Sequence, residues 1–414
     1  MTLNPLKDRY IVLGVTGSIA AYKAADLASK LTQAGAAVDT VLTEAATRFV
    51  TPLTFQSVTG RPAYTDADLW GAQAHVLHVG LGRKADLLVI APATAETMAK
   101  LAHGLADNLL TLATLAAACP ILIAPAMDGG MFAHPATQEN LQKLKDRGMT
   151  IVGPEEGHLA SGLLARGRMT EPQELVGHIR YLLARGGPLQ GRRVVVTAGG
   201  TQEPVDPVRV IGNRSSGKQG FALAQAALDA GAEVTLIAAP VALAAPAGAR
   251  RVDVCTAAEM ADAVLAACRD ADALLMAAAV ADFRPVQAAG QKLKKARDLP
   301  GLALERTMDI LAEVGRLRKQ SGHPLAVVGF AAETEGLLAN ALSKLQAKRL
   351  DLIVANDVSA AGSGFSVDTN QVTLLDAAGG VETLPLMSKA EVAEKVIDKV
   401  IGLLAQPLTP IVGS

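Results

Sequence analysis

The sequence predicts an α/β protein made of two doubly wound domains, each with a parallel sheet between layers of helices. Half of the 414 residues are hydrophobic and only 3% are aromatic, a composition typical of helices packed on such sheets. Short apolar runs alternate with helical patterns along the chain. The length also exceeds one ordinary hydrophobic core, so we expect two or three domains.

The first half begins with a predicted strand, Tyr10 to Val15, followed by a helix that ends near Gly35. Further strands are predicted for the apolar runs Val38 to Leu42, Asp86 to Ala91, Ile121 to Ala124 and Met149 to Val152. Glycine and proline gather around residues 182–192, and we place a boundary there, between domains 1–187 and 188–414. In the second half, strands are predicted near Val194, Val234, Leu274, Ala326, Leu352 and Val372.

Charge, cysteines and hydropathy exclude several classes of function. A net charge of −1 argues against nucleic acid or an acidic membrane as partner. The 3 cysteines form no CxxC pair and no even framework, which fits a reducing cytosol. The start of the chain has no secretion-signal pattern. The longest apolar run, Leu109 to Met127, is interrupted by Pro120 and indicates a buried helix followed by a strand. We therefore expect a soluble, cytoplasmic protein.

The stretch from Val194 to Gly220 predicts an anion site. A buried strand ends in a glycine pair, and the run from Asn213 to Lys218 then precedes a helix. Free backbone N–H groups and the helix dipole face a ligand in such a loop. The alternative is an ordinary βα turn without a ligand, but the nearby cations Arg209 and Arg214 favour the anion site. Neither half has G-x-G-x-x-G after its first strand, so mononucleotides suit these Rossmann-like domains better than dinucleotides.

The run DPVRVIGNRSSGKQGFALA resembles the ligase half of the bifunctional phosphopantothenoylcysteine decarboxylase/phosphopantothenate–cysteine ligases of coenzyme A synthesis. One difference is Gly199-Gly200-Thr201, where the family usually has Gly-Pro-Thr. The resemblance implies that CTP, with Mg²⁺, activates 4′-phosphopantothenate as an acyl-cytidylate and releases pyrophosphate. The amine of cysteine then displaces CMP.

The matching motifs imply roles for individual residues of the ligase half. Asn213 would hold the acyl intermediate, and Asp282 would accept a hydrogen bond from the exocyclic amine of cytosine, which selects CTP over UTP. Lys292, in KLKK, would stabilise the phosphorus centre, although charge alone indicates a solvated loop. The motif from Gly329 to Thr334 is expected to open a helix that carries two lysines one turn apart as triphosphate ligands, unless that pair only serves solubility. The implied CTP contacts are Met276, Ala277, Ala278, Asp282, Lys292, Met308, Asp309, Ile310, Leu311, Phe330, Lys344 and Lys348.

In the first half, the pattern GSIAAYK followed by TEAA, APATA and APAM resembles the flavin-containing cysteine decarboxylases. A glycine and serine at a helix N-terminus can hold one phosphate group, although such turns are more often structural. The resemblance implies FMN as cofactor, a temporary oxidant of the substrate thiol. The implied FMN contacts are Gly17, Ser18, Ile19, Thr43, Pro92, Ala93, Thr94 and Met127.

Three further residues are catalytic candidates by the same resemblance. His78, in a His-x-x-Leu pattern, fits the family's catalytic histidine better than His75; without the pattern, such a pair indicates a surface or a weak metal site. Asp128 stands where the family has an asparagine that holds the departing carboxylate, and Ser161 stands where it has the cysteine that gives the last proton. We expect Asp128 to be protonated, turned away or paired with a cation. Our hypothesis is that a neutral Asp128 donates the proton and that Ser161 relays it. No metal is required for this step, and the ligands of Mg²⁺ in the ligase half are unknown.

The sequence therefore predicts a bifunctional enzyme that joins cysteine to 4′-phosphopantothenate and decarboxylates the product to 4′-phosphopantetheine. Its partners are expected to be small-molecule substrates, with no nucleic acid and no membrane. By resemblance, trimeric contacts of the flavin half and dimeric contacts of the ligase half would give a dodecamer. Two alternatives remain open: an active ligase whose first domain binds flavin but is impaired in decarboxylation, and a non-enzymatic flavoprotein that binds a partner.

Overall fold

The structure is a computed structural model that describes residues 3–70, 76–293, 301–333, 337–357 and 367–405. It divides into two compact units, Asn4–Leu183 and the chain from Ala184 onward. Both units are α/β, so the predicted fold class and the two-domain architecture are confirmed. The boundary between residues 187 and 188 stays a prediction. No helix within the described ranges has the length and apolarity needed to cross a membrane.

The first unit is built on a parallel sheet with the strand order β3-β2-β1-β4-β5-β6. Its strands are β1 (Tyr10–Val15), β2 (Ala37–Leu42), β3 (Ala63–Tyr64), β4 (Leu87–Ala93), β5 (Ile121–Pro125) and β6 (Thr150–Ile151), and a separate hairpin joins β7 (Glu155–His158) to β8 (Leu164–Arg168). The order reverses between β1 and β4. In open α/β sheets, ligands bind outside the carboxyl ends of the strands at such a reversal.

Helices cover both faces of this sheet. They are α1 (Ala21–Gln33), α2 (Glu44–Thr47), α3 (Pro52–Thr59), α4 (Leu77–Lys84), α5 (Ala95–His103), α6 (Leu109–Leu115), α7 (Gly129–Ala133), α8 (Pro135–Asp146) and α9 (Pro172–Leu183), with a 3₁₀ helix at Asp66–Trp70. Leu27 of α1 and Ile179 of α9 are fully buried in one core, and Met98 and Leu144 are fully buried in the core on the other face. The apolar run after Leu109 is a buried helix followed by a strand, as predicted.

The second unit repeats this plan with the strand order β13-β12-β9-β14-β17-β18-β20-β21. Its strands are β9 (Arg193–Ala198), β10 (Gln202–Pro204), β11 (Val210–Gly212), β12 (Glu233–Ala238), β13 (Arg250–Asp253), β14 (Ala273–Met276), β15 (Phe283–Pro285), β16 (Leu304–Arg306), β17 (Ala326–Glu333), β18 (Leu352–Asp357), β19 (Thr369–Asn370), β20 (Val372–Asp376), β21 (Val381–Thr383) and β22 (Met387–Ser388). Its helices are α10 (Lys218–Asp229), α11 (Ala257–Ala267), α12 (Ile310–Ser321), α13 (Leu337–Lys348) and α14 (Lys389–Ala405). The order reverses between β9 and β14.

Two expectations about this unit are corrected. The motif that begins at Gly329 does not open a helix, because it lies in β17 and α13 begins only at Leu337; Thr334 is outside the described residues. The motif forms a central strand because β14 and β18 hydrogen-bond it on both sides and its apolar side chains suit a buried position. In addition, the predicted parallel sheet has an antiparallel edge, because β20 pairs antiparallel with β18 and β21 pairs antiparallel with β20. A short turn joins β20 to β21, whereas a parallel pair would require a long crossover.

Candidate active sites

In the first unit, one threonine joins the loops that follow β1 and β4. The hydroxyl of Thr16 donates to the carbonyl of Pro92 over 2.7 Å and accepts from the backbone N–H of Thr94 over 3.0 Å. The segment after β2 packs closely against the loop after β1, since a Cβ on Gly17 would lie 2.5 Å from Cβ of Ala45. The predicted FMN contacts in these loops therefore lie together at the carboxyl edge of the sheet, where only glycine fits at position 17.

A cavity of about 380 Å³ lies at the same unit's α1 N-terminus and under the β7–β8 hairpin. We call it the hairpin cavity. Of the predicted FMN contacts, Ser18, Ile19 and Met127 line it. Gly17, Thr43, Pro92, Ala93 and Thr94 do not line it.

His78 lies in α4, and its Nδ1 is buried with no hydrogen-bond partner in the described part of the chain. A buried polar atom without a partner costs about 1–3 kcal/mol, so it indicates a missing ligand. The rival candidate His75 lies outside the described residues. The bare backbone at Gly17 leaves room for a phosphate group at the N-terminus of α1. His78 lines no part of the hairpin cavity, so its place in the same site stays a prediction.

Asp128 and Ser161 contact each other in the hairpin cavity, although 33 positions separate them in the chain. The Ser161 hydroxyl donates to Oδ2 of Asp128 over 2.7 Å. The other oxygen, Oδ1, accepts from the N–H of Gly130 over 2.9 Å, so Asp128 is the N-cap of α7. The Ser161 hydrogen bond, followed by that of Gly130, lowers the pKa of the Asp128 carboxyl below its ordinary value. These contacts favour the ionised carboxylate and so argue against a neutral, proton-donating Asp128, whose catalytic role stays a prediction.

No sequence pattern indicated the ion-pair cluster at one side of the hairpin cavity. Lys23 is buried, and its Nζ donates to Glu171 over 2.8 Å and to the carbonyl of Met169 over 3.2 Å. Arg168 contacts the same carboxylate. The hydrogen bond from Lys23 lowers the pKa of Glu171, with Arg168 adding to the effect. The cluster fixes the segment that follows β8 against α1.

In the second unit, two threonine hydroxyls hold the loop that follows β14. Thr197 accepts from the N–H of Ala278 over 3.0 Å, and Thr201 accepts from the N–H of Ala281 over 2.8 Å. The N–H of Ala279 donates to Gly199 over 2.8 Å. Backbone groups of the loops after β9 and β14 thus bond each other at the reversal of strand order.

Two cavities open at this edge, and together they collect most of the predicted ligase residues. The first, of about 550 Å³, is lined by the segment from Asn213 to Gly220, and we call it the glycine-loop cavity. The second, of about 560 Å³, is lined by the segment from Arg306 to Leu311, and we call it the Asp309 cavity. Predicted residues that line one or both cavities are Asn213, Met276, Ala277, Ala278, Asp282, Met308, Asp309, Ile310, Leu311, Phe330, Lys344 and Lys348.

Asn213 is held close to both loops. Its Nδ2 donates to the carbonyl of Val280 over 2.9 Å, which fixes the plane of the amide. A Cβ on Gly200 would lie 2.5 Å from the carbonyl oxygen of Asn213. The glycine that distinguishes this chain from the family pattern therefore allows a close backbone approach.

The predicted lysines occupy different positions. Lys344 lines both cavities, whereas Lys348 contacts the carboxylate of Asp309, which also caps α12. Lys292 lines neither cavity. The N–H of the next residue, Leu293, donates to Asp206 over 3.1 Å, so the described end of this loop is tied away from both cavities. The structure thus brings together every predicted ligase residue except Lys292.

Sequence reasoning missed a polar network on the far wall of the glycine-loop cavity. Asn370 donates to Gln219 over 3.1 Å and accepts from Asn356 over 3.3 Å. Lys389 also lines this wall; it is only 6% exposed, and burial lowers its pKa. No local signal reveals this set, because about 150 positions separate Gln219 from Asn370. The glycine-rich residues 362–364, whose sequence also resembles the family pattern, lie outside the described residues.

Family models match both units. Residues 2–184 match the Flavoprotein family, and residues 189–404 match the DNA/pantothenate metabolism flavoprotein C-terminal domain. A relative from Bacillus subtilis (strain 168), the coenzyme A biosynthesis bifunctional protein CoaBC, is 44% identical over 404 residues, which are 97% of this chain and 98% of the relative.

Two solved structures are also similar. The C-terminal domain of a coenzyme A biosynthesis bifunctional protein CoaBC is 37% identical, covers 53% of this chain and 98% of its own, and has a TM-score of 0.45. The FMN-dependent cysteine decarboxylase SpaF is 37% identical, covers 41% of this chain and 94% of its own, and has a TM-score of 0.37.

Proposed function

The chain belongs to the family of bifunctional coenzyme A biosynthesis proteins CoaBC, and from that premise we propose how its residues carry out the two reactions of the family. It is an enzyme that ligates cysteine to 4′-phosphopantothenate and decarboxylates the product to 4′-phosphopantetheine, with FMN as the cofactor of the first unit. Residue roles, CTP, Mg²⁺ and the assembly are the proposal. The observation that carries it is the convergence of the predicted residues at the reversal of strand order in each unit.

In the ligase half, we propose that the two adjoining cavities hold the nucleotide and the acyl group. Lys344 and Lys348 neutralise the triphosphate, and Mg²⁺ arrives with the phosphates that it prefers as ligands. A carboxylate oxygen of 4′-phosphopantothenate attacks the α-phosphorus of CTP, and pyrophosphate leaves. Asn213, oriented by its hydrogen bond to Val280, holds the acyl-cytidylate while the amine of cysteine displaces CMP.

Base selection is assigned to Asp282. Its carboxylate lines both cavities, and its carbonyl is fixed by the N–H of Thr307 over 3.0 Å. A carboxylate accepts a hydrogen bond from the amine of cytosine and repels the carbonyl oxygen of uracil. Lys292 is proposed to approach the phosphorus centre, which requires its loop to leave the tether at Asp206.

In the decarboxylase half, the backbone around Gly17 and Ser18 would hold the phosphate of FMN at the N-terminus of α1. FMN supplies two-electron oxidation and reduction of the substrate thiol. The imidazole of His78, whose Nδ1 has no partner in the described residues, takes the thiol proton. Ser161 and Asp128 hold each other in the cavity wall near the departing carboxylate.

We also propose a cytoplasmic oligomer with trimeric and dimeric contacts, a dodecamer in the full assembly. Large apolar side chains on the contacting hairpins β10–β11 and β15–β16 support the dimeric contact. Val208, Phe283, Val286 and Leu304 are between 47% and 63% exposed there. Sedimentation of the full chain measures this assembly.

The experiment that tests the function is direct. Purified protein with FMN receives 4′-phosphopantothenate, cysteine, CTP and Mg²⁺, and the products are identified by mass. Phosphopantothenoylcysteine, CMP, pyrophosphate and then 4′-phosphopantetheine are expected. Replacement of CTP by UTP is the control for base selection, and equal rates with both nucleotides would contradict the role of Asp282.

A further inference from the structure

Decarboxylation leaves one requirement that the residues named so far do not meet. The bond from the α-carbon to the carboxylate breaks, CO2 leaves, and the electron pair of that bond stays with the remaining fragment. Overall, one proton must be added for each CO2 lost, so that a C–H bond replaces the C–C bond. An acid in the cavity that donates this proton accelerates the step by about 10²–10⁴-fold.

The Ser161–Asp128 pair does not supply that proton. Both oxygens of Asp128 accept hydrogen bonds, from Ser161 and from the N–H of Gly130. The hydroxyl hydrogen of Ser161 already points at a carboxylate, and an alcohol is a very weak acid. The carboxylate of this pair accepts hydrogen bonds and has no proton to give.

The two cationic side chains of the hairpin cavity that are always charged, Lys23 and Arg168, already have partners. Lys23 is buried between Glu171 and the carbonyl of Met169. Arg168 contacts the same Glu171, and a guanidinium does not give up its proton in proteins. Besides Ser18, whose alcohol is as weak an acid as that of Ser161, the cavity offers two other side chains with a proton to donate, Tyr22 of α1 and His158 of β7.

We propose that His158 is the acid that delivers this proton. It is the last residue of β7, directly before the segment that carries Ser161, and it lines the same cavity as Asp128. An imidazolium ordinarily has a pKa of about 6.5 and a phenol one of about 10, so the histidine is much the stronger acid.

The step then balances. His158 gives its proton to the carbon fragment and becomes neutral, and a proton from solvent restores the imidazolium after product release. The two electrons that FMN would take from the thiol would return to the same fragment as a hydride, so that there is no net oxidation. The backbone of β7 is paired with β8, with His158 opposite Leu164, so the hairpin holds the backbone of His158 at the wall of the cavity. This inference rests on the proposed decarboxylase function of the first unit.

The test uses the full chain with FMN in anaerobic single turnover of phosphopantothenoylcysteine, with product masses read after quenching. His158→Gln is expected to release CO2 but to form 4′-phosphopantetheine about 10²–10⁴-fold more slowly, with a decarboxylated species that lacks two hydrogens accumulating. His103→Gln, an exposed histidine of α5 outside the cavity, is the matched control. Adding Ser161→Cys to His158→Gln should restore product, because a thiol with a pKa of about 8.5 is a usable acid.

A second readout does not depend on turnover. Addition of 4′-phosphopantetheine to the FMN-free protein should shift the NMR signal of the His158 ring and leave that of His103 unchanged. Normal product formation by His158→Gln, or slowing by Tyr22→Phe instead, overturns the assignment. If the natural protein releases no CO2 from its substrate, the proposed decarboxylase function is overturned. That result differs from the one that overturns only the role of His158, in which His158→Gln releases CO2 and forms product at the normal rate.

Discussion

At the scale of single residues, the two lysines of α13 differ in their surroundings. Lys348 is held at Asp309, whereas Lys344 lines both ligase cavities. Lys344→Met should raise the KM for CTP by about 10–100-fold, since a hydrogen bond to a charged group contributes about 1.5–3 kcal/mol. Steady-state kinetics at varied CTP measure this. Lys319→Met, an exposed lysine of α12 outside both cavities, should leave the KM unchanged; the same rise in that variant would contradict the assignment.

His78 offers a second prediction at this scale. His78→Asn should reduce CO2 release by about 10²–10⁴-fold, because the proton acceptor for the thiol is lost. FMN content, read from the flavin absorbance, should stay at the natural level. Release of ¹⁴CO2 from labelled substrate is the measurement, with His103→Asn as control. Undiminished release would show that the unpaired Nδ1 has another role.

The cysteines are expected to differ in reactivity. Burial raises the pKa of the Cys268 thiol to about 12, and the side chain is fully buried, so its thiolate is scarce at pH 8. Cys255 is exposed. A thiol reagent at pH 8 should therefore modify Cys255 within minutes and reach Cys268 only on unfolding. Peptide mapping after a time course measures this, and early labelling of Cys268 would contradict its burial.

At the scale of elements, the last helix depends on its first turn. Ser388 and Glu391 form a reciprocal capping box, in which the Ser388 hydroxyl accepts from the N–H of Glu391 over 3.2 Å and the Glu391 carboxylate accepts from the N–H of Ser388 over 2.8 Å. The hydrogen bond from the Ser388 hydroxyl lowers the pKa of Glu391. The stability that the ionised Glu391 adds is therefore fully present above the ordinary carboxyl pKa, and it is lost as the pH falls through the lowered pKa of Glu391.

Ser388→Ala should therefore weaken the start of α14 by about 1 kcal/mol. Hydrogen exchange at pH 7 should rise in peptides that cover the first turns of α14. Ser388→Asp keeps a capping acceptor and should retain most of the protection. Equal protection in Ser388→Ala would mean that packing alone holds this end of the helix.

At the scale of the whole molecule, the two units are expected to work as separate domains. Leu189 is 1% exposed, and its N–H donates to the carbonyl of Ala230 over 2.8 Å within the second unit. A fragment from residue 188 onward should therefore form phosphopantothenoylcysteine with CTP. A fragment that begins at residue 193 loses Leu189 and should be less stable by about 1.5–3 kcal/mol. Urea unfolding of both fragments measures the difference, and equal stability would move the boundary.

The sequence by itself determined the features that depend on neighbouring residues. Strand β1, the loop at Gly17 and the capping box at Ser388 follow from apolar runs, glycine positions and short-range side-chain bonds. The family motifs also occupy short segments, so the proposed FMN-binding loops and the loop at Asn213 could be located in the sequence alone. Even the wrong helix at Gly329 was a local ambiguity, because a short apolar run suits a buried strand and a helix equally.

The tertiary structure decided which distant side chains meet. Ser161 donates a hydrogen bond to Asp128 and lowers the pKa of its carboxyl, and Asn370 donates to Gln219. The tether at Asp206 held the described end of the Lys292 loop away from the cavities. These contacts depend on strand order and on the path of the connections, which no local pattern contains. The pKa of a carboxyl depends on its hydrogen-bond partners, so the direction of the Asp128 shift could only be found once those partners were known.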